Sequence, residues 1–312
     1  MSSIEKFRNE LNQAIIGREK EFDFMLIALL QEGHVLLESV PGSGKTMMAK
    51  SFANAFKGAF GRIQFTPDVL PSDVTGIRYF NPQTQDFVLK TGPVSTNILL
   101  ADEINRATPR TQSSLLESME EKQVTIDGET VKLPKPFMVI ATQNPLESQQ
   151  GTFPLPAAQL DRFLFKLNID YPSFEEEHLI LKHYGKNPGK ITTTSVIGPE
   201  EVKDWAKEAS EVNVHEDIEL YILKIIRATR EHPFIELGLS SRAALAILQA
   251  TKANAYISGR DFATPDDVKT IIEPAALHRM ELSTEGMLTK ELADVLREII
   301  NAIPAPIEAT VL

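Results

Sequence analysis

The stretch that most constrains the fold of this chain is HVLLESVPGSGKTMMAK, residues 34–50. It begins with an apolar run typical of a buried strand, continues through a glycine-rich turn, and ends in a helical pattern. A turn of this kind at the start of a helix directs several backbone N–H groups to one point, which is how many proteins bind phosphate. The stretch therefore predicts a phosphate-binding loop in an α/β domain, and a chance glycine-rich turn is the less favoured alternative.

The loop departs from the usual pattern G-x-x-x-x-G-K-[ST] at its first position, which is Ser39. Gly42 and Gly44 would let the backbone close around a phosphate, while Lys45 would neutralise its charge and Thr46 would offer a hydroxyl to Mg²⁺. A serine costs about 1–2 kcal/mol only if the position needs a positive φ, and almost nothing in extended backbone. We therefore expect Ser39 to be tolerated in a working nucleotide site.

Two apolar runs further along the chain end in polar residues that suit the same site. NILLADEINR predicts a buried strand that ends at Asp102 and Glu103, and FMVIATQNP predicts another that ends at Asn144. Asp102 can hold the water shell of Mg²⁺, Glu103 can polarise an attacking water, and Asn144 can fix that water. Each motif alone also fits a solvated strand end or a turn, but their position after a phosphate loop favours one joint site.

Two arginines are further candidates for this site. Arg162 in LDRF lies beside an apolar run, and Arg242 in LSSRAAL falls in the first turn of a predicted helix. A cation directed at the γ-phosphate stabilises the charge of a phosphoryl-transfer transition state. Taken singly, each arginine is better explained by a surface salt bridge.

The chain as a whole predicts two domains. Strand and helix patterns alternate in the first half, which indicates a parallel sheet with flanking helices. Residues 76–92 and 122–133 interrupt this alternation and predict two inserted β-hairpins, the second around Asp127-Gly128. Residues 171–201 predict a linker, and capped helical patterns follow. We predict an α/β core over residues 1–190 and an all-helical domain over residues 191–312.

Composition limits the classes of function. The net charge of −11 disfavours a nucleic-acid binder, which usually carries a basic face. The absence of cysteine excludes disulfides, cysteine-ligated zinc and thiol nucleophiles. The N-terminal sequence has no apolar signal region and no apolar run is long enough to cross a bilayer, so we expect a cytoplasmic protein without membrane insertion.

Several stretches closely resemble the MoxR family of AAA+ ATPases. They are FTPDVLPSDVTG, GPVSTNILLADEINRATPRTQSSLLESMEEKQVTIDG, VIATQNP and GTFPLPAAQLDRF, and the resemblance extends from about residue 15 to the end of the chain. It implies an α/β P-loop AAA+ core, with a parallel sheet, flanking helices and two inserted β-hairpins, followed by a small all-helical lid domain.

The resemblance also implies roles for individual residues. Asn144 corresponds to sensor 1, Arg242 to sensor 2 in the lid, and Arg162 to the arginine finger that reaches the ATP of a neighbouring subunit. Glu103 is the implied catalytic carboxylate, and Thr46 and Asp102 are the implied Mg²⁺ ligands. The implied nucleotide contacts are Ile16 and Gly17 near adenine and, in the Walker A loop, Ser39, Val40, Pro41, Gly42, Ser43, Gly44, Lys45, Thr46 and Met47.

The resemblance further implies ATP and Mg²⁺ as cofactors and a homo-oligomer, a hexameric ring. It implies a chaperone-like activity on other protein complexes, with a partner that carries a von Willebrand factor A domain. Two alternatives stay open, namely the ATPase subunit of a metal chelatase and an MCM-like nucleic-acid motor. The tip of the second hairpin, residues 125–130, is acidic and lacks Lys and Arg, which disfavours the motor.

Overall fold

The computed structural model describes residues 3–40, 42–144, 151–185 and 193–306 of the chain. The chain divides into two compact units, the first formed by residues 1–155 and 167–203 and the second by residues 156–166 and 204–312. The stretch 156–166, which contains Arg162, therefore packs with the C-terminal unit. The domain boundary expected at residue 190 stays a prediction.

The described residues form eleven strands and thirteen α-helices. The strands are β1 (Val35–Ser39), β2 (Phe60–Gln64), β3 (Gly76–Asn81), β4 (Asp86–Thr91), β5 (Ile98–Asp102), β6 (Gln123–Ile126), β7 (Glu129–Lys132), β8 (Met138–Gln143), β9 (Phe165–Ile169), β10 (Ile235–Leu237) and β11 (Glu281–Leu282). The helices are α1 (Ser3–Ala14), α2 (Glu19–Leu30), α3 (Lys45–Ala55), α4 (Pro71–Thr75), α5 (Pro109–Glu121), α6 (Ala157–Leu160), α7 (Phe174–Tyr184), α8 (Pro199–Ser210), α9 (Glu216–Glu231), α10 (Ser241–Ile257), α11 (Pro265–Ala276), α12 (Thr284–Thr289) and α13 (Leu292–Ala302).

The first unit is built on a five-stranded sheet in the order β2-β5-β8-β1-β9. Strands β1 and β8, β5 and β8, and β2 and β5 pair in parallel, so their carboxyl ends meet at one edge. Every residue of β5 is buried, as its apolar sequence requires of a strand covered on both faces. The predicted parallel sheet with flanking helices is confirmed, and the polar strand ends are gathered where ligands bind in open α/β sheets.

Both predicted hairpins are present in the first unit. Strand β3 pairs with β4, and β6 pairs with β7. The second hairpin turns at Asp127 and Gly128, whose φ angles of 49° and 85° suit the Asp-Gly turn that the sequence indicates. The backbone N–H of Arg78 on β3 donates to the Asp127 carboxylate at 3.3 Å, and the Arg78 guanidinium pairs with the Glu129 carboxylate at 3.1 Å. The two hairpins are therefore joined at this point.

The linker predicted over residues 171–201 is wrong in its first half, because Phe174–Tyr184 forms helix α7. Ser173 caps this helix by accepting from the Glu176 N–H at 3.2 Å, and the Glu176 carboxylate accepts from the Ser173 N–H at 2.7 Å. This reciprocal capping box, present in the sequence as Ser-x-x-Glu, is the signal that favours a helix over a linker.

The second unit is helical, as predicted, with one addition. Strands β10 and β11 form a short antiparallel pair. The Ser240 hydroxyl accepts from the Ala243 N–H at 3.1 Å and so caps α10, the helix that carries Arg242 in its first turn. Across the described residues of the chain, none of the helices combines the length and the apolar character needed to cross a membrane.

Candidate functional site

The candidate phosphate loop connects β1 to α3. Ser39 ends the strand, is 4% exposed and has an extended backbone. Gly42 and Gly44 have φ angles of 83° and 85°, and Lys45 begins the helix. A side chain on either glycine would strain this left-handed backbone, so the two retained glycines occupy the positions that need them. Pro41 lies outside the described residues.

Other side chains of the loop show its polarity. The hydroxyls of Ser39 and Ser43 are buried without a hydrogen-bond partner among the described residues. Buried polar groups of this kind are normally satisfied, so a bound anion would complete the loop. Val40 is partly exposed, and the Met47 side chain is 46% exposed at the start of α3. Ser43 therefore fits a phosphate contact better than Met47 does.

Asp102 is the centre of the hydrogen-bond network at the carboxyl edge of the sheet. It is 4% exposed. One carboxylate oxygen accepts from the Thr142 hydroxyl at 2.7 Å, and the other accepts from the Thr46 hydroxyl at 3.3 Å and from Arg62 at 2.8 Å. Thr46 lies in the first turn of α3, so this network joins the phosphate loop to the ends of β5 and β8.

Glu103 follows β5 in a strained conformation. Its φ of 58° places a non-glycine residue in the left-handed region, which is uncommon and is often found at functional sites. Its backbone N–H donates to the Thr142 hydroxyl at 2.9 Å. Its carboxylate accepts from Gln64 at 2.9 Å and from Arg106 at 3.0 Å. The two carboxylates therefore differ, since Asp102 is buried while Glu103 is held at a partly exposed position.

Asn144 directly follows β8 and is 3% exposed. Its backbone carbonyl lies 3.5 Å from the side-chain amide of Asn105, a residue of the short 3₁₀ turn after Glu103. The ends of β5 and β8 are thus adjacent, as the sequence predicts for two neighbouring parallel strands. The role of the Asn144 side chain toward a water stays a prediction.

The turn predicted to lie near adenine connects α1 to α2. Ile16 and Gly17 are partly exposed, and Gly17 has a φ of 73°. A side chain at Gly17 would be strained by this left-handed φ, and its Cβ would require the Glu176 carboxylate to move. Next to it, Arg18 donates to the Asp170 carbonyl at 2.5 Å. The turn is therefore fixed against the chain segment after β9, and its contact with a base stays a prediction.

Arg162 and Arg242 are both in the second unit. Arg242 lies 3.9 Å from the carboxylate of Asp161, the residue before Arg162. The same carboxylate accepts from Arg279 at 2.7 Å. The roles of both arginines at a γ-phosphate stay predictions.

Sequence reasoning missed several residues that complete these clusters. They are Arg62 and Gln64 on β2, Arg106, Thr142 on β8, and Asp161 and Arg279 in the second unit. Thr142 and Gln64 stand at or near the ends of predicted parallel strands, and that position is the signal that could have identified them. The pairing of Asp161 with Arg279, 118 residues apart, has no local signal.

The Thr46 hydroxyl and the Asp102 carboxylate offer the hard oxygen atoms that Mg²⁺ prefers. The described residues contain no group of three or more His, Asp or Glu side chains that could hold a metal by themselves. Mg²⁺ usually keeps several waters and is bound by one or two protein oxygens together with substrate phosphates. The residues present fit an ion of that kind, which would neutralise phosphate charge beside the loop.

Comparison with known sequences identifies the family of the chain. Residues 34–165 match the family described as ATPase family associated with various cellular activities (AAA), and residues 227–299 match the AAA lid domain. The chain is 46% identical to the uncharacterized protein YeaC of Bacillus subtilis, over 96% of this chain and 93% of that protein. It is 39% identical to Chaperone MoxR1 of Mycobacterium tuberculosis, over 97% of this chain and 84% of that protein.

A solved structure has the same fold over almost the whole chain. The crystal structure of a candidate ATPase from Cytophaga hutchinsonii superposes with a TM-score of 0.90 and 35% sequence identity, over 98% of this chain and 95% of that one. The order of strands, the inserted hairpins and the helical unit are therefore those of an existing group of proteins.

Proposed function

The chain belongs to the MoxR family of AAA+ ATPases, and from this premise we propose that it uses Mg²⁺-dependent ATP hydrolysis to remodel, mature or activate a partner protein complex. The observation that carries the proposal is the hydrogen bond between Thr46 and Asp102. It joins the helix that begins at the phosphate loop to a strand-end carboxylate, which is the arrangement that a Mg²⁺-bound triphosphate requires.

The residues of the first unit have distinct parts in this proposal. The backbone around Gly42 and Gly44 and the Lys45 ammonium bind the β- and γ-phosphates. Asp102 and Thr46 would hold Mg²⁺ and its waters, and the ion would supply positive charge beside the phosphates. Glu103 accepts a proton from the attacking water, and Asn144 orients that water.

The arginines require a second subunit in this proposal. Arg162 acts as a finger in the site of a neighbouring copy, and Arg242 acts as a second cation at the γ-phosphate. The family resemblance implies a ring of six subunits. In a closed ring, each site receives its arginine finger from a neighbouring subunit. Residues 156–166 pack with the second unit, so Arg162 and Arg242 belong to the same compact unit.

The proposed activity is that of a chaperone in the cytoplasm, acting on a complex whose partner carries a von Willebrand factor A domain. The support is the family membership and the name of the mycobacterial relative, which describes that protein as a chaperone. The nucleic-acid motor is the weaker alternative, because the tip of the β6–β7 hairpin carries exposed acidic residues, Asp127 and Glu129.

The first experiment tests nucleotide binding. Calorimetry should show that the wild type binds ATP in the presence of Mg²⁺ and that Lys45→Ala does not, because the loop loses its cation. Lys50→Ala, an exposed lysine on the same helix, is the matched control and should bind as the wild type does. A wild-type protein that does not bind ATP would contradict the proposal.

The second experiment tests where the site is completed. Arg162→Ala should bind ATP normally but hydrolyse it roughly 10³–10⁵ times more slowly. Mixed with Lys45→Ala, it should recover part of the activity, because one interface then combines Lys45 of one chain with Arg162 of the other. No recovery in mixed assemblies verified by native mass spectrometry would show that Arg162 does not act in trans.

The third experiment identifies the partner class. A Glu103→Gln variant loaded with ATP should retain its partner on an affinity resin, and a protein with a von Willebrand factor A domain should be enriched over the nucleotide-free sample. Enrichment of chelatase subunits would favour the chelatase alternative, and recovery of nucleic acid would favour the motor.

A further inference from the structure

The segment around Arg162 is held by a buried arginine, Arg279, which follows α11 in a short 3₁₀ turn. The Arg279 side chain is only 6% exposed. Its Nε donates to the Asp161 carboxylate at 2.7 Å, and one Nη donates to the Phe163 carbonyl at 2.8 Å. Its remaining acceptors are the backbone carbonyls of Asp161 and Leu164, both at 3.3 Å, and of Ala275.

These contacts flank Arg162 on both sides. Asp161 precedes it and Phe163 follows it, and the adjacent His278 also donates, from Nε2, to the Phe163 carbonyl at 2.8 Å. None of the four described side chains of α6, the helix that leads into this segment, is buried. Phe163 and Leu164, which follow Arg162, are buried, so apolar packing anchors one side of the segment. The polar contacts with residues 278–279 add a directional constraint on the backbone on both sides of Arg162.

Burying a guanidinium to hold a segment in place has a large desolvation cost. Apolar residues of similar volume often stabilise a fold as well as a buried ion pair does. The guanidinium differs in that its planar fork fixes direction as well as distance, and here both sides of the fork are engaged. An arginine at this position is therefore better explained by a demand for accurate placement than by stability alone.

We infer that Arg279 is a positioning residue for Arg162, which it orients by fixing Asp161 and the carbonyls on either side. This inference rests on the proposed function, in which Arg162 completes the site of a neighbouring subunit. Lysine carries the same charge but cannot reproduce the fork, so Arg279→Lys removes the orientation while keeping a cation. A misplacement of about 1 Å can lower a rate roughly a hundredfold.

The expected result for Arg279→Lys is a separation of kcat from binding. ATP hydrolysis should fall roughly ten- to a hundredfold, while the dissociation constant for ATP stays within about twofold of the wild type. Arg260→Lys is the matched control in the same unit. Arg260 makes a bidentate pair with Asp267 at 2.6 and 2.7 Å at the other end of α11, remote in sequence from Arg162. Arg260→Lys should keep its kcat.

Mixing full-length variants tests whether the defect lies in the finger. A mixture of Arg279→Lys and Lys45→Ala should hydrolyse ATP faster than either variant alone. At some interfaces, Lys45→Ala supplies an intact finger to the intact phosphate loop of Arg279→Lys. Arg279→Lys mixed with Arg162→Ala should show no gain, because every interface then lacks a well-placed finger. The opposite pattern, with recovery by Arg162→Ala, would assign the defect to the chain's own phosphate site and overturn the inference.

A double variant shows whether Arg279 acts on hydrolysis through Arg162 or through Arg242. If Arg279 acts through Arg162, the double variant Arg162→Ala/Arg279→Lys should be no slower than Arg162→Ala. A further tenfold loss would show another route and overturn the inference. Asp161→Asn is the second variant, which should give the same mixing pattern if Arg279→Lys does not fold.

The mixture of Lys45→Ala with Arg162→Ala serves as the reference. Recovery in this reference with an unaltered kcat for Arg279→Lys would overturn the inference and leave the proposed function intact. No recovery in the reference would overturn the trans finger itself, and the positioning role with it.

Discussion

The carboxyl edge of the sheet in the first unit and the arginine cluster of the second hold their charged groups in opposite ways. At the sheet edge, the Asp102 carboxylate lies among donors on three different elements, α3, β2 and β8. In the second unit, a single carboxylate, Asp161, lies between two arginines. The first cluster follows from the order of the strands, and the second depends on one partly buried ion pair.

This difference determines how each cluster should respond to substitution. Polar side chains at the ends of parallel strands stay close together because the backbone ladder holds them, so loss of one side chain should alter chemistry more than geometry. The second cluster is held by side chains, so loss of Arg279 should alter geometry as well. The variants below test that contrast in order of decreasing effect.

The largest effect is expected when the chemistry of the sheet edge is removed without a change of shape. Glu103→Gln should keep ATP binding and lower kcat roughly 10²–10⁴-fold, because an amide cannot accept the proton of the attacking water. A coupled ATPase assay gives kcat, and calorimetry gives the dissociation constant for ATP. The amide can still bond to Gln64 and so preserve the local arrangement.

The control for this variant is Glu117→Gln, an exposed acid on α5 of the same unit, which should leave kcat unchanged. A kcat for Glu103→Gln within threefold of the wild type would show that another group activates the water. The sheet edge would then not be a cluster in which loss of the Glu103 carboxylate mainly alters chemistry.

A medium effect is expected from two buried histidines, one in each unit. Burial lowers the pKa of His34 to about 4, and burial together with the charge of Arg279 lowers the pKa of His278 to about 3. Both stay neutral in the folded state while the unfolded chain takes up protons near pH 6.5. The free energy of unfolding should therefore fall as the pH drops below 6.5, by about 2 kcal/mol per histidine at pH 5.

Denaturant titrations between pH 7 and pH 5 can assign this loss to a unit. Trp205, the single tryptophan, is 9% exposed and belongs to the second unit, so its fluorescence follows unfolding there. His278→Gln should reduce the pH dependence of that transition, and His34→Gln is the control from the first unit. An unchanged pH dependence in His278→Gln would mean that this histidine is protonated in the folded protein.

The sequence predicted most of what depends on backbone regularity. The strands that end at Asp102 and Gln143 could be recognised from their apolar runs, and parallel pairing places such ends at one edge. The turn at Asp127-Gly128 could be recognised from a dipeptide that tolerates positive φ. These features need only a local pattern and one general rule of topology.

The remainder depends on contacts that local patterns do not record. The sequence around α7 favours a linker because its Gly/Pro-rich continuation outweighs the capping box at Ser173. The bond from Gln64 to Glu103 needs the register of β2 against β5, which one sequence does not supply. The fork of Arg279 reaches across more than a hundred residues to Asp161, and only the folded unit brings them together.

The smallest effect is expected at the position where the phosphate loop departs from the usual pattern. Ser39 is an extended residue at the end of β1, so glycine is not needed there for its backbone. Ser39→Gly should change the affinity for ATP by less than tenfold, or about 1.4 kcal/mol, in calorimetry. Two terms contribute to the change, since glycine loosens the strand end by about 0.5–1 kcal/mol and loss of the hydroxyl removes at most one hydrogen bond to a bound phosphate.

Ser39→Ala separates these two terms, because alanine removes the hydroxyl without loosening the backbone. If ATP affinity is equal in Ser39→Ala and Ser39→Gly, the hydroxyl is the only part of Ser39 that matters. A gain above tenfold in Ser39→Gly alone would show that the loop needs a glycine backbone when nucleotide binds, in a conformation different from the strand end seen here. That result would show that the backbone at Ser39 changes conformation when ATP binds. The sheet edge would then not be fixed by its backbone at this position, and the contrast with the arginine cluster would not hold there.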